Sequence, residues 1–99
     1  MASSLYNITL VEADTEYAQE LPVVPGFLTG IEFQARGSAV LRFAFETGKV
    51  AGSVAPYFTL KAGDAYSTPD IHSSGNHKII YFASSTPGTI VELVVWYKE

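Results

Sequence analysis

The sequence predicts an all-β protein: one antiparallel β-sandwich, jelly-roll-like, of about seven or eight strands spanning residues 1–99. Three observations lead there. Glycine and proline recur at short intervals from Pro22 to Gly88, which leaves little room for a long helix. Between these breaks apolar and polar residues alternate with a period of two, as a strand with one wet face requires. The apolar runs are rich in β-branched and aromatic residues, and turn signals return roughly every 8–12 residues, the spacing of sandwich strands.

Each element can be read in order. Leu5–Val11 reads as a short β segment. Val11–Leu21 admits two readings, because Val11, Tyr17, Ala18 and Leu21 could share a helical face. The alternative is a strand over Glu16–Leu21, entered by a turn at Asp14-Thr15 and stopped by Pro22. The strand is preferred, since an isolated helix this short is marginal without strong packing.

Ile31, Phe33 and Ala35 then interleave with Glu32 and Gln34, and Leu41, Phe43 and Phe45 with Val40, Arg42 and Ala44. With Arg36-Gly37-Ser38 as a short turn, these runs read as a hairpin whose aromatic residues face inward. Tyr57–Leu60 and Asp64–Ser67 are shorter β segments, and Thr47–Pro56 and Ser67–His77 read as long loops. Lys78–Ser84 places Ile80 and Phe82 on one face and Ile79 and Tyr81 on the other. Pro87-Gly88 suits the centre of a type II turn, where proline fixes φ and glycine supplies a positive φ. Thr89–Tyr97 is apolar on both faces, as in a central strand or one covered by a neighbouring subunit. Ile31, Phe33, Leu41, Phe43, Phe82 and Leu93 are the expected core.

Composition bounds the function. A chain of 99 residues and 10.7 kDa allows one domain. Apolar residues make up 47% and charged residues 16%, against roughly 25% charged in an average domain, so disorder is excluded. Nine serines and eight threonines fill part of that deficit, and the absence of cysteine removes disulfides and thiolate metal sites. The net charge of −4 is uneven: residues 1–35 hold five acids and no base, and all six bases follow. No basic stripe forms, which argues against direct binding to nucleic acid. Met-Ala-Ser-Ser does not open a secretory signal, and no apolar run approaches the ~18 residues of a membrane span. Synthesis in the cytoplasm and no membrane association are the expectation.

Candidate chemistry is sparse. Asp70, His72 and His77 share one polar loop, and two imidazoles with a carboxylate can bind a divalent metal. The Ser-Ser-Gly-Asn segment between the histidines has no regular element to aim both rings at one point, so solvated loop residues are the preferred reading. Ser53 follows Gly52, but Ala55 stands where a nucleophile elbow needs its second glycine. No pair among the ten acids is singled out for glycoside hydrolysis, and no glycine loop is placed to cradle phosphate. Asn7-Ile8-Thr9 matches a glycosylation acceptor and is read as a strand segment. The expectation is a protein that is not an enzyme, with no catalytic, cofactor-binding or metal residues and no cofactor. Tyr6, Tyr17, Tyr57, Tyr66, Tyr81, Tyr97 and Trp96 are many amphipathic rings for this length. They suit core and interface positions, or a stacking platform for sugars.

Several segments carry a resemblance. Thr15-Glu16-Tyr17 to Leu21-Pro22, Phe33-Gln34-Ala35-Arg36 and Val40–Phe45 resemble small β-sandwich virion proteins of tailed bacteriophages. Tyr57–Gly63 with Tyr66, Ile80–Ser85 and Gly88–Trp96 are similar to the closing strands of such proteins. The resemblance covers most of the chain and implies a non-enzymatic structural protein of the particle, above all a capsid decoration or cement protein stabilising the head shell. It implies the major capsid protein or another virion protein as partner, a homo-oligomer on the shell, and location in the virion after synthesis in the host cytoplasm. A tail, neck or fibre component is the variant of the same reading. The alternative is a carbohydrate- or ligand-binding sandwich, which an exposed row of aromatics in a groove would favour. A metal-dependent enzyme ranks last and would need a metal at His72 and His77.

Overall fold

The fold was obtained as a computed structural model that describes residues 2–21, 28–68 and 79–97. Eight strands and no helix are present among them: β1 (Ala2–Leu10), β2 (Tyr17–Glu20), β3 (Leu28–Ala35), β4 (Leu41–Ala44), β5 (Phe58–Leu60), β6 (Ala65–Thr68), β7 (Ile79–Ala83) and β8 (Thr89–Tyr97). They form two antiparallel four-stranded sheets, ordered β1-β8-β3-β6 and β2-β7-β4-β5. First pairs with last and inward from there: β1 with β8, β2 with β7, β3 with β6, β4 with β5. That nesting, closed by β3–β8 and β4–β7, is the jelly roll.

Alternation explains why each strand lies where it does. Along β8, Val91, Leu93 and Val95 are buried while Glu92, Val94 and Trp96 are half-exposed on the outer face. β7 buries Ile80 and Phe82, and β3 buries Ile31 and Phe33. All six residues expected in the core are buried, at 3% exposure or less. Phe33 meets Phe43 edge-on with ring centres 4.7 Å apart and Phe82 at 5.1 Å, so aromatic rings bridge the two sheets.

Two expectations need correction, and a third is met. β3 and β4 are not a hairpin, because β3 pairs with β8 and β6 while β4 pairs with β7 and β5. The 36–40 connection crosses between the sheets, and the two apolar faces meet across the core instead of lying side by side. Phe45 is not inward: alternation ends at Phe43, Ala44 is buried, and Phe45 lies 44% exposed beyond the strand. β8 is central, between β1 and β3, yet Val94 and Trp96 keep half-exposed side chains because nothing described lies over the outer face.

The segment after β1 resolves as a turn and a strand. Asp14 adopts a φ of 52° in the turn, a conformation that aspartate tolerates better than most side chains. Its backbone N–H donates to the Ser84 carbonyl at 2.8 Å, which docks the turn against the end of β7. Gly88 has a φ of 79°, as the second central residue of a type II turn needs, and its N–H donates to the Leu10 carbonyl.

Polar groups at the sandwich rim fasten loops to strands. The Arg42 guanidinium, its side chain only 11% exposed, donates to the Val50 carbonyl, to Ser85 Oγ and to Asp14 Oδ1 at 2.7, 3.2 and 2.8 Å. On the outer face of the other sheet, Glu92 accepts from Gln34 and Arg36 at 2.9 and 3.0 Å. Hydrogen bonds from Arg42 and Ser85 hold the Asp14 carboxyl below its ordinary value of 3.8, and those from Gln34 and Arg36 hold Glu92 below 4.5. A carboxyl with a lower pKa in the fold than in the unfolded chain stabilises the fold above its unfolded value and ceases to as pH falls through the folded one. The melting temperature should therefore be flat between about pH 7 and pH 5 and decline below about pH 4.5. In Asp14→Asn, thermal melts should show a shallower acid decline; an unchanged slope would remove this turn from the acid response.

Candidate functional site

The site assembles where the core reaches the surface. Phe43 on β4 and Tyr66 on β6 touch across the sandwich with ring centres 4.8 Å apart. Phe58 on β5 lies 5.3 Å from Phe43 and 6.1 Å from Tyr66, and Phe45 lies 6.3 Å from Phe43. Buried Phe43 thus forms a floor from which Phe45 and Phe58 emerge. Phe58 is 54% exposed and Tyr57 is 37% exposed, and with Pro56 they line an open groove of about 450 Å³.

Local sequence explains the exposure. β5 is an edge strand of three residues, so among the described residues Phe58 has a strand partner on only one side. Phe45 follows the last residue of β4, where the chain leaves the sheet for a series of turns. Glu16 carboxylate oxygens accept from Thr47 Oγ1 at 2.9 Å and from the Gly48 N–H at 2.8 Å, fixing the start of that excursion. Gly48 has a φ of 82°, open to glycine and costly for a side chain.

The groove is mainly a contact surface. Its side chains are aromatic and apolar apart from the Glu46 carboxylate and the Tyr57 and Tyr66 hydroxyls. A contiguous exposed apolar patch beside a packed core marks a surface that gains by being covered. It can receive an apolar side chain or stack against a flat ring. Sugar binding needs several convergent hydrogen-bonding groups besides a stacking ring, and the lining supplies three.

The other aromatics are distributed elsewhere. Tyr6 and Tyr17 are partly buried against the main core, and Tyr17 Oη accepts the Glu12 N–H at 3.0 Å. Tyr81 packs against a small second cluster of Ala44, Val50 and Ala83. Asp70, His72 and His77 lie outside the described residues. Among the described residues no three histidine, aspartate or glutamate side chains are grouped to hold a metal ion. The sequence reading singled out tyrosines and tryptophan and missed Phe45 and Phe58, which carry most of the groove. The available signal was the isolation of Phe58 in a segment flanked by Pro56 and Gly63, too short to bury both faces.

No protein-family model matches the chain, and comparison with curated proteins and with solved structures returns no match.

Proposed function

We propose that the protein is a non-enzymatic structural component of a tailed-bacteriophage particle, a capsid decoration or cement protein that binds the assembled shell. The observation that carries this reading is the aromatic groove on an otherwise well-packed sandwich. Phe45, Tyr57 and Phe58 offer rigid contact area with little side-chain entropy to lose, the property of interface anchors. The jelly roll is a fold of capsid proteins, and also of lectins and cupins, so it supports the reading only at the level of architecture. On a shell the groove would be presented many times, and weak individual contacts would gain from any linkage between copies. The weakly charged surface suits a protein that is soluble before it meets its partner.

The test is copurification. The protein should band with purified capsids in a fixed ratio to the major shell protein and be absent from fractions lacking shells. A variable ratio, or equal recovery without shells, would reject the assignment.

The same groove favours a second reading, a carbohydrate-binding module associated with a tail or fibre, because three exposed aromatics lie together. Nuclear magnetic resonance titration with oligosaccharides separates the two. Saturable shifts confined to Phe45, Tyr57 and Phe58 would favour sugar, and no shifts alongside shell binding would favour the cement role.

A further inference from the structure

Residues 45–57 form a strap between β4 and β5, and among them Val50 alone is buried, at 0% exposure. Val50 does not join the core between the sheets. Phe43 and Phe82 oppose each other in the β4–β7 pair and face that core. The flanking pairs, Arg42 with Ala83 and Ala44 with Tyr81, therefore face outward. Ala44 and Ala83 are nonetheless buried, at 6% and 0%, in a small cluster with Val50, and Tyr81 packs against it. Two alanines side by side leave a shallow hollow on the outer face of the sheet, and the Val50 side chain fills it.

Hydrogen bonds hold the strap on that hollow. Arg42 Nε donates to the Val50 carbonyl at 2.7 Å, and the guanidinium is itself fixed by Asp14 and Ser85. The Glu16 carboxylate accepts from Thr47 and from the Gly48 N–H. The Val54 N–H donates to the Lys49 carbonyl at 2.8 Å, closing a turn around Val50. Ser53 in that turn has a φ of 54°, which a serine adopts at a cost, so the surrounding contacts must hold it there. Both ends of the strap meet at the aromatic groove. Phe45 and Glu46 leave β4 there, Pro56 and Tyr57 return to β5 there, and Val50 itself is not in the lining.

We infer that Val50 is a positioning residue for the groove: seated in the alanine hollow, it fixes the strap whose two ends carry Phe45 and Tyr57. The inference rests on the groove being the contact surface proposed above, and adds that a residue outside the groove sets its affinity. Phe45 is 44% exposed and Tyr57 37%, so much of each ring has no packing neighbour and its place follows from the backbone that carries it. A strap tied only at its ends would sample many conformations, and ordering it on binding would subtract from affinity. Burying one valine and bonding its carbonyl divides the strap into two short spans, 45–49 and 51–57. The rings are then ordered before a partner arrives.

Val50→Ala empties the hollow and leaves every side chain of the groove unchanged. In hydrogen exchange, the Val54 amide should lose protection by about 10-fold beyond any change at the amides of Phe82 and Leu93. In nuclear magnetic resonance spectra taken well below the melting temperature, the ring signals of Phe45 and Tyr57 should move towards those of freely exposed rings. Affinity for shells should fall about 10-fold, although Val50 lies outside the groove. A Val50 that only stabilised the fold would lower the melting temperature and leave the rings in place below it. Should Val50→Ala not fold, Glu16→Ala decides by the same measurements, because it releases Thr47 and Gly48 from a half-buried side chain. Wild-type ring signals in the folded variant would overturn the inference, as would undiminished shell binding by a variant whose rings have moved. A wild-type protein that ignores shells would instead reject the proposed function, and the ring and exchange measurements would then decide the role of Val50 by themselves.

Discussion

Truncating Phe43 to alanine should cost ~3–5 kcal/mol and leave the protein largely unfolded near physiological temperature. Phe43 is 3% exposed and its ring touches Phe33, Phe45, Phe58 and Tyr66, residues of both sheets and of the groove. Removing it deletes transfer energy and opens a void that rigid neighbouring rings cannot easily close. A small domain buries a smaller fraction of its surface than a large one and has no disulfide here to compensate. Phe43→Leu should recover much of the loss, because it keeps most of the volume without the ring edges. Chemical denaturation of the three proteins measures the effect. A Phe43→Ala midpoint within error of wild type would mean that the rings do not bridge the sheets.

The second large effect is on binding. Under the proposed shell-binding role, Phe58→Asp should weaken association with shells by ~30-fold or more, because an anchor in a desolvated contact typically contributes 2 kcal/mol or more. The same change should cost the fold only about 1 kcal/mol, since the ring is more than half exposed and sits on an edge strand. That separation makes the experiment decisive: a thermal melt and a capsid cosedimentation assay on one variant report independent quantities. Undiminished cosedimentation by a folded Phe58→Asp protein would move the interface away from the groove. Val40→Asp changes another exposed apolar residue outside the groove and should leave both quantities close to wild type.

Much of this fold was legible along the chain because alternation is a local signal. Whether Phe33, Phe82 or Leu93 faces the core is decided by its neighbours at one and two residues, and each is buried as its run predicts. Positive φ at Gly88 was likewise readable from Pro87-Gly88 alone. The strand reading of residues 16–21 held because Pro22 and the Asp14-Thr15 turn leave too little chain for a stable helix. What the chain could not reveal is which strands become neighbours. The 36–40 connection fits a hairpin turn and a crossover equally well, and β3 joined β8 and β6 because only the whole jelly roll closes both apolar faces. The candidate surface follows from that same nonlocal choice. Phe58 is exposed because β5 lies at a sheet edge among the described strands, and β1 pairs with β8, nearly the full length of the chain away. Residue identity determined which faces are apolar; the order of strands decided which of those faces were covered and which were left exposed.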